Sequence, residues 1–218
     1  MQSLNAAVAE RSQYSRRKAS ELIKAGRVQI NGAVAMLGAK VDKKDEIKID
    51  GEVLAPVTLK YFAFNKPVGY ECSKNPEGKN PSMYQLLPKE LQNLNYVGRL
   101  DVDSHGLVLL TNDGQWLQQL THPKYEIKRV YEVELHKALS EDDQKKIIDG
   151  INLKDGISKL GLSGSGKKWT IEMRQGKNRQ IRRTFAHTGY EVLDLKRTQH
   201  GNYDLEGIEE RNYKEVNK

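Results

Sequence analysis

Cysteine is almost absent: Cys72 is the only one in 218 residues. A single thiol excludes an intramolecular disulfide framework and a Cys-based zinc site. Long apolar stretches are missing too. The longest unbroken run is Ala33 to Leu37, far short of the roughly 20 residues that a membrane-spanning helix needs. The opening residues carry no basic flank followed by an apolar stretch, so no signal peptide is expected. The five histidines (His105, His122, His136, His187 and His200) are never closer than 13 residues apart and form no ligand pair. No metal site is expected from them. What is abundant is charge. Lys plus Arg is 36 against 29 for Asp plus Glu, a net charge of +7, and the pI is near 9.3. Hydrophobic residues are 37%, enough for a core. These features predict a soluble, cytoplasmic protein with a polyanionic partner, nucleic acid ahead of an anionic membrane surface.

Residues 1–58 read as a first module. Leu4, Ala7 and Val8 have helical spacing. Ser15 is a candidate N-cap for a second helix that ends at Gly26, with Ala19, Leu22 and Ile23 as its buried stripe. Val28 and Ile30 alternate as a strand, and Asn31-Gly32 and Asp50-Gly51 mark hairpin turns. Arg16, Arg17, Lys18, Lys24 and Arg27 against Glu21 give this helix region a local +4. The plain alternative is a solvated face. The order of elements favours a phosphate-gripping one. Ala55 to Thr58, with Pro56, is the expected linker.

Residues 59–218 read as a mixed, largely antiparallel α+β domain. Strands are expected at Tyr61 to Asn65, Leu107 to Leu110, Val130 to Leu135, Trp169 to Met173 and Tyr190 to Leu195. Helices are expected from Asp113-Gly114 to Leu120, from Ser140 onward and from Arg179 to Thr188. Gly161 to Lys167 fits the first seven positions of a P-loop, but Lys168 follows where Ser or Thr is required and the next residues look like a strand. A flexible Gly/Ser turn between strands is expected there, and no ATP site.

The stretch Gly98-Arg99-Leu100-Asp101-Val102-Asp103-Ser104-His105-Gly106-Leu107 is a polar loop feeding an apolar strand. Taken alone, it is as well explained by aspartates capping a turn as by catalysis.

Two resemblances extend these readings. The two short helices followed by Gly-Arg-Val-x-Ile-Asn-Gly resemble the alpha-L RNA-binding domain. Gly98-Arg99-Leu100-Asp101 with Asp103-Ser104, Gly106-Leu107 and Leu110-Thr111 resembles the signature of ribosomal RNA pseudouridine synthases of the RsuA type. Asn65 to Gly69, Lys128 to Val133 and Gly176 to Arg183 resemble further motifs of that family, in order. The resemblance implies isomerisation of a flipped-out uridine to pseudouridine in ribosomal RNA, without a cofactor. It implies 23S ahead of 16S rRNA, naked or in an assembly intermediate, and a monomeric enzyme. Asp101 would be the catalytic carboxylate, acting as nucleophile or as base. Tyr131 would stack on the base, with its hydroxyl a candidate proton shuttle, and Arg182 would be the basic partner of Asp101. Arg99 would fill the vacated space or hold a flanking phosphate, while Asp103 would cap the loop. Lys177, Arg179 and Arg183 would bind phosphates beside the first module's basic helix. A non-catalytic rRNA-binding assembly factor on the same fold is the competing reading.

Overall fold

The computed structural model describes residues 1–12, 14–42, 44–55 and 57–218; Pro56 of the expected linker lies outside the described residues. The chain divides into two compact units. One comprises residues 1–60 with 112–114, the other residues 61–111 with 115–218.

In the first unit, α1 (Leu4–Arg11) and α2 (Arg16–Lys24) bury Leu4, Ala7, Val8, Ala19, Leu22 and Ile23. Ser15 caps α2, its hydroxyl accepting the Lys18 N–H at 3.2 Å. Gly26 follows the helix at φ +71°, the left-handed geometry that ends helices cheaply only with glycine or asparagine. A strand pair of β1 (Gln2–Ser3) with β4 (Lys40–Val41) lies beside a four-stranded antiparallel sheet. That sheet has the order β3 (Ala33–Val34), β2 (Val28–Ile30), β5 (Ile47–Ile49), β6 (Glu52–Val53). Both expected hairpin turns have positive φ at each central residue: +50° and +85° at Asn31-Gly32, +52° and +85° at Asp50-Gly51.

The second unit is built on a nine-stranded sheet. Its main path runs β13 (Gly161–Ser165), β14 (Lys168–Met173), β10 (Arg129–Leu135), β15 (Val192–His200), β9 (His105–Thr111), β7 (Tyr61–Lys66), β17 (Tyr213–Glu215). β8 (Asn95–Val97) pairs with β9, and β16 (Tyr203–Asp204) with β15. All pairs are antiparallel except β15 with β9. The mixed, largely antiparallel α+β class expected from the sequence is the class observed. Strand β9 is apolar without alternation because both of its faces are covered. Val108 and Leu110 join a core with Phe64, Val133, Ile171 and Phe185, while Leu107 and Leu109 join another with Ala63 and Trp116. Trp116 comes from α3 (Gly114–Thr121), and Phe185 from α5 (Gln180–His187). A further helix, α4 (Glu141–Asp149), is capped by Ser140. Among the described residues, no helix is long and apolar enough to cross a membrane.

Two sequence expectations need correction. Gly161 to Ser165 is strand β13 rather than a flexible turn, and only Gly166-Lys167 turns the chain, between paired Ser165 and Lys168. The last long strand does not stop at Leu195 but runs through Lys196, Arg197, Thr198 and Gln199 to His200. Its polar end is held because Arg197 and His200 find buried hydrogen-bond partners.

The parallel strand pair of this sheet is tight. Arg197 lies opposite Gly106, where a Cβ would sit 2.3 Å from the Arg197 carbonyl oxygen, and Gly106 has φ +104°. Gly106→Ala therefore meets both steric exclusion and backbone strain. It is expected to cost about 3 kcal/mol, read as a lower urea midpoint. A midpoint equal to that of the unsubstituted chain would show that the β9–β15 contact is looser than described.

Candidate active site

Strand β9 is entered through the turn 98–104, whose main-chain groups are bonded on several sides. Arg197, 1% exposed, donates from Nε to Leu107 O at 2.7 Å, from Nη2 to Gly98 O at 3.2 Å and from Nη1 to Arg99 O at 3.5 Å. The Leu100 N–H points at Cys72 Sγ, 3.4 Å away. The Gly69 N–H donates to Val102 O at 2.7 Å, and the Ser104 N–H to Asp101 O at 3.1 Å. Lys66, fully buried, donates to Pro67 O at 2.8 Å and Ser104 O at 2.7 Å. The turn is thus irregular in hydrogen bonding but tied down along its length.

Two carboxylates project from it, with different surroundings. Asp103 receives Arg179 as a fork, Nη1 to Oδ1 at 3.0 Å and Nη2 to Oδ2 at 2.7 Å. Arg182 Nε lies 3.2 Å from Asp103 Oδ2, and Arg182 Nη2 donates to Asp103 O at 2.6 Å. Arg182 also donates to Val192 O at 2.7 Å, so it joins the turn, α5 and the start of β15. Asp101 is 33% exposed, with Arg179 Nη1 3.6 Å from Oδ2.

The electrostatics follow the geometry. The hydrogen bond from Arg179 first, and the Arg182 charge after it, hold the Asp103 carboxyl below the usual carboxylate range. Burial pushes the Lys66 ammonium down, opposed by the nearby Asp101 and Asp103. Behind the turn, burial and then the Arg197 and Arg129 charges hold the His200 imidazole well below its ordinary value. His200 is thus a neutral neighbour, its Nε2 3.0 Å from Leu120 O.

Helix α5 presents its arginines as the spacing implies, with Ile181 and Phe185 buried on the other side. Arg179, Arg182 and Arg183 nevertheless do not form a row. Arg179 is the cap residue in left-handed conformation (φ +46°) and reaches the aspartates. Arg183 forks onto Asp155 at 2.9 Å through each nitrogen. The expected basic partner of Asp101, Arg182, contacts Asp103, while Arg179 is the cation at ion-pair distance from Asp101. Asp103, expected as a loop cap, is the anchor for both arginines. Tyr131 sits on β10, buried, in register with Ile171 of β14 and Arg197 of β15. Arg99 is exposed at the head of the turn.

Of the other candidate RNA contacts, Lys177 donates to Ile157 O at 2.9 Å. Arg16, Arg17, Lys18, Lys24 and Arg27 are all exposed in the first unit. There Lys18 pairs with Glu21 at 3.0 Å and Arg27 forks onto Asp50, Nε to Oδ1 at 2.8 Å. Among the described residues no cluster of His, Cys, Asp and Glu could hold a metal ion. Sequence reasoning missed Lys66, Cys72 as an acceptor and Arg197. Lys66 lay inside a recognised motif, whereas Arg197 carried no signal beyond a polar strand end.

Comparison with known proteins explains this assembly. The model for the RNA pseudouridylate synthase family matches residues 60–187, and that for the S4 domain matches residues 4–47. The chain belongs to the RNA pseudouridylate synthase family. It is similar to ribosomal large subunit pseudouridine synthase B of Bacillus subtilis, at 36% identity over 95% of this chain and 89% of that protein. It is 35% identical to the protein of the same name from Pseudomonas aeruginosa, over 86% of this chain but only 52% of that longer one. A crystal structure of a pseudouridylate synthase superimposes with a TM-score of 0.71 at 31% identity, covering all of this chain and 96% of that one. The recognised family and the S4-type first module are therefore those that the sequence motifs implied.

The Asp103 contacts make a pH test possible. A carboxylate whose folded pKa is depressed adds stability that is present above its unfolded value near 3.9, and that is lost as pH falls through the folded one. Asp103→Asn is expected to lower stability by about 1 kcal/mol at pH 7, the partial exposure of the pair limiting it. Urea unfolding of both proteins should show that gap closing toward pH 3. A gap of constant size across that range would mean that Asp103 contributes through packing alone.

Proposed function

We propose that this chain converts a uridine of ribosomal RNA, in the large subunit, to pseudouridine. In this reading residues 1–58 grip RNA and residues 59–218 carry the chemistry. The supporting observation is the division of labour on the turn 98–104. Asp103 is occupied by two arginines, whereas Asp101 keeps a partly exposed carboxylate with one cation at 3.6 Å. A carboxylate that must attack or deprotonate a sugar has to be reachable and held. Asp101 meets both needs.

The target base leaves the RNA stack, as enzymes that act on a base require. Asp101 then starts cleavage of the N-glycosidic bond, as nucleophile at the ribose or as base toward a ribose proton. The uracil turns and rejoins through carbon 5. No atom is gained or lost, so no redox partner or group donor enters the balance. In this reading the ring of Tyr131, on β10 in register with Arg197 of β15, stacks on the base. Arg182 acts by holding the Asp103 main chain and Val192 O. Arg99, exposed beside the turn, holds the flanking phosphate or fills the vacated space. The basic residues of α2, with Lys177, Arg179 and Arg183, contribute sequence-independent phosphate affinity. The names of similar proteins in Bacillus subtilis and Pseudomonas aeruginosa favour the large-subunit RNA as substrate. The protein works in this reading as a cytoplasmic monomer on rRNA or an assembly intermediate.

The test is carbodiimide-adduct primer extension across 23S and 16S rRNA from a deletion strain. One stop in 23S rRNA should vanish on deletion, return with the unsubstituted gene, and stay absent with Asp101→Ala. The purified variant should keep its RNA affinity within a few-fold while its rate falls by about 10³-fold or more. Full activity in the variant would remove Asp101 from the chemistry. No lost stop in either rRNA would favour the binding-factor reading.

A further inference from the structure

Arg197 is a buried cation that the reaction scheme does not use. Each of its side-chain hydrogen bonds goes to a main-chain carbonyl. Two of those carbonyls, at Gly98 and Arg99, precede Asp101, and the third, at Leu107, follows it. One planar group therefore ties together both ends of the segment that bears the carboxylate. The guanidinium suits this because its five N–H groups diverge in a fixed fork.

The Arg197 backbone adds a second connection. It is the ladder partner of Gly106 on β9 and of Tyr131 on β10. At Gly106 the approach is so close that no side chain fits between. Arg197 is thus bonded or paired to the segment before Asp101, the strand after it and the strand that carries Tyr131. Burying a guanidinium without a carboxylate is costly, so its retention here points to a geometric role rather than to general stability.

We propose that Arg197 is a positioning residue for the isomerisation. It fixes the Asp101 turn relative to the Tyr131 strand, without touching the substrate. The inference rests on the assignment of Asp101 proposed above. Displacements of about 1 Å at a reacting group can cost two orders of magnitude in rate, which sets the size of the expected effect.

The full-length protein is tested with Arg197→Lys, which keeps the charge but cannot reach all three carbonyls, and with Arg197→Met. The substrate is unmodified 23S rRNA from the deletion strain, and Asp101→Asn is run alongside. Arg197→Lys should lower kcat by about 100-fold while KM stays within about threefold. Amide exchange at Leu100 and Ser104 should accelerate, with the amides of β10 and β14 unchanged. A kcat within threefold of the parent in folded Arg197→Lys would overturn the inference, as would a loss seen only in KM. If neither variant folds, exchange in the unsubstituted protein decides. Leu100 and Ser104 amides protected as strongly as those of β15 support the clamp, and amides open to fast local exchange overturn it. Activity surviving in Asp101→Asn would instead sink the site assignment. An inactive Asp101→Asn beside a fully active Arg197→Lys would sink the positioning role alone.

Discussion

A turn that leaves its sheet must find other donors for its carbonyls, and this constraint organises the second unit around residues 98–104. Residues 98–104 leave the sheet ladder, so their carbonyls lack the partners that strands supply. An unsatisfied buried carbonyl costs on the order of 1–3 kcal/mol. Here Arg197, Lys66, Arg182 and the Gly69 N–H meet that need. Charged donors make stronger bonds than neutral ones, and each of the three side chains serves at least two carbonyls. Burying Lys66 and Arg197 is unfavourable in isolation. It becomes tolerable because one desolvated cation replaces several unsatisfied groups. The result is a turn with a single arrangement, which a purely apolar setting could not have selected.

Helix α5 reaches the same turn from the other side, and it is itself pinned. The hairpin of β11 (Ile151–Leu153) and β12 (Gly156–Ser158) holds it through a buried polar chain. Gln180 Nε2 donates to Ser158 Oγ at 2.9 Å, and Ser158 Oγ lies 2.8 Å from Thr184 Oγ1. Asp155 on that hairpin takes Arg183, which removes one arginine from the helix N-terminus and leaves Arg179 and Arg182 to the aspartates. Left-handed φ at a non-glycine residue such as Arg179 is uncommon and strained. The fork onto Asp103 is the interaction that accompanies it. The position of the guanidinium over Asp101 and Asp103 thus follows from the hairpin, the cap conformation and the ion pair together.

Most elements were legible from local patterns because local chemistry decides them. Ser15 and Ser140 cap the helices they precede, and Asn31-Gly32 and Asp50-Gly51 turn the hairpins whose geometry they suit. The motif around Asp101 falls on the turn that leads into β9. What could not be read is long-range and polar. Arg197 and His200 end a strand that looks solvent-facing by composition, yet both are buried against carbonyls contributed by residues 80 or more positions away. The division of α5's arginines between Asp103 and Asp155 depends on where a distant hairpin docks. Helical spacing places all three on one face and contains no information about which carboxylate each will meet. Gly161 to Ser165 failed for the opposite reason. Glycine and serine suggest a turn, but pairing with β14 makes the segment an edge strand, where weak intrinsic preference is overridden.

The two carboxylates on one turn then acquire different surroundings from the same neighbours. A lone aspartate facing Arg179 and Arg182 would be drawn into a full fork, its oxygens occupied and its approach to a sugar blocked. Asp103 takes that fork two residues further on, where the chain doubles back over Lys66 and Gly69. The Arg179 charge is thereby fixed in place yet largely committed elsewhere, leaving Asp101 near a cation without being captured by it. A site built with one acid would have to choose between anchoring the turn and presenting a reactive carboxylate. With two, separated by a single residue, anchoring falls to Asp103, and Asp101 can be reachable without being loose.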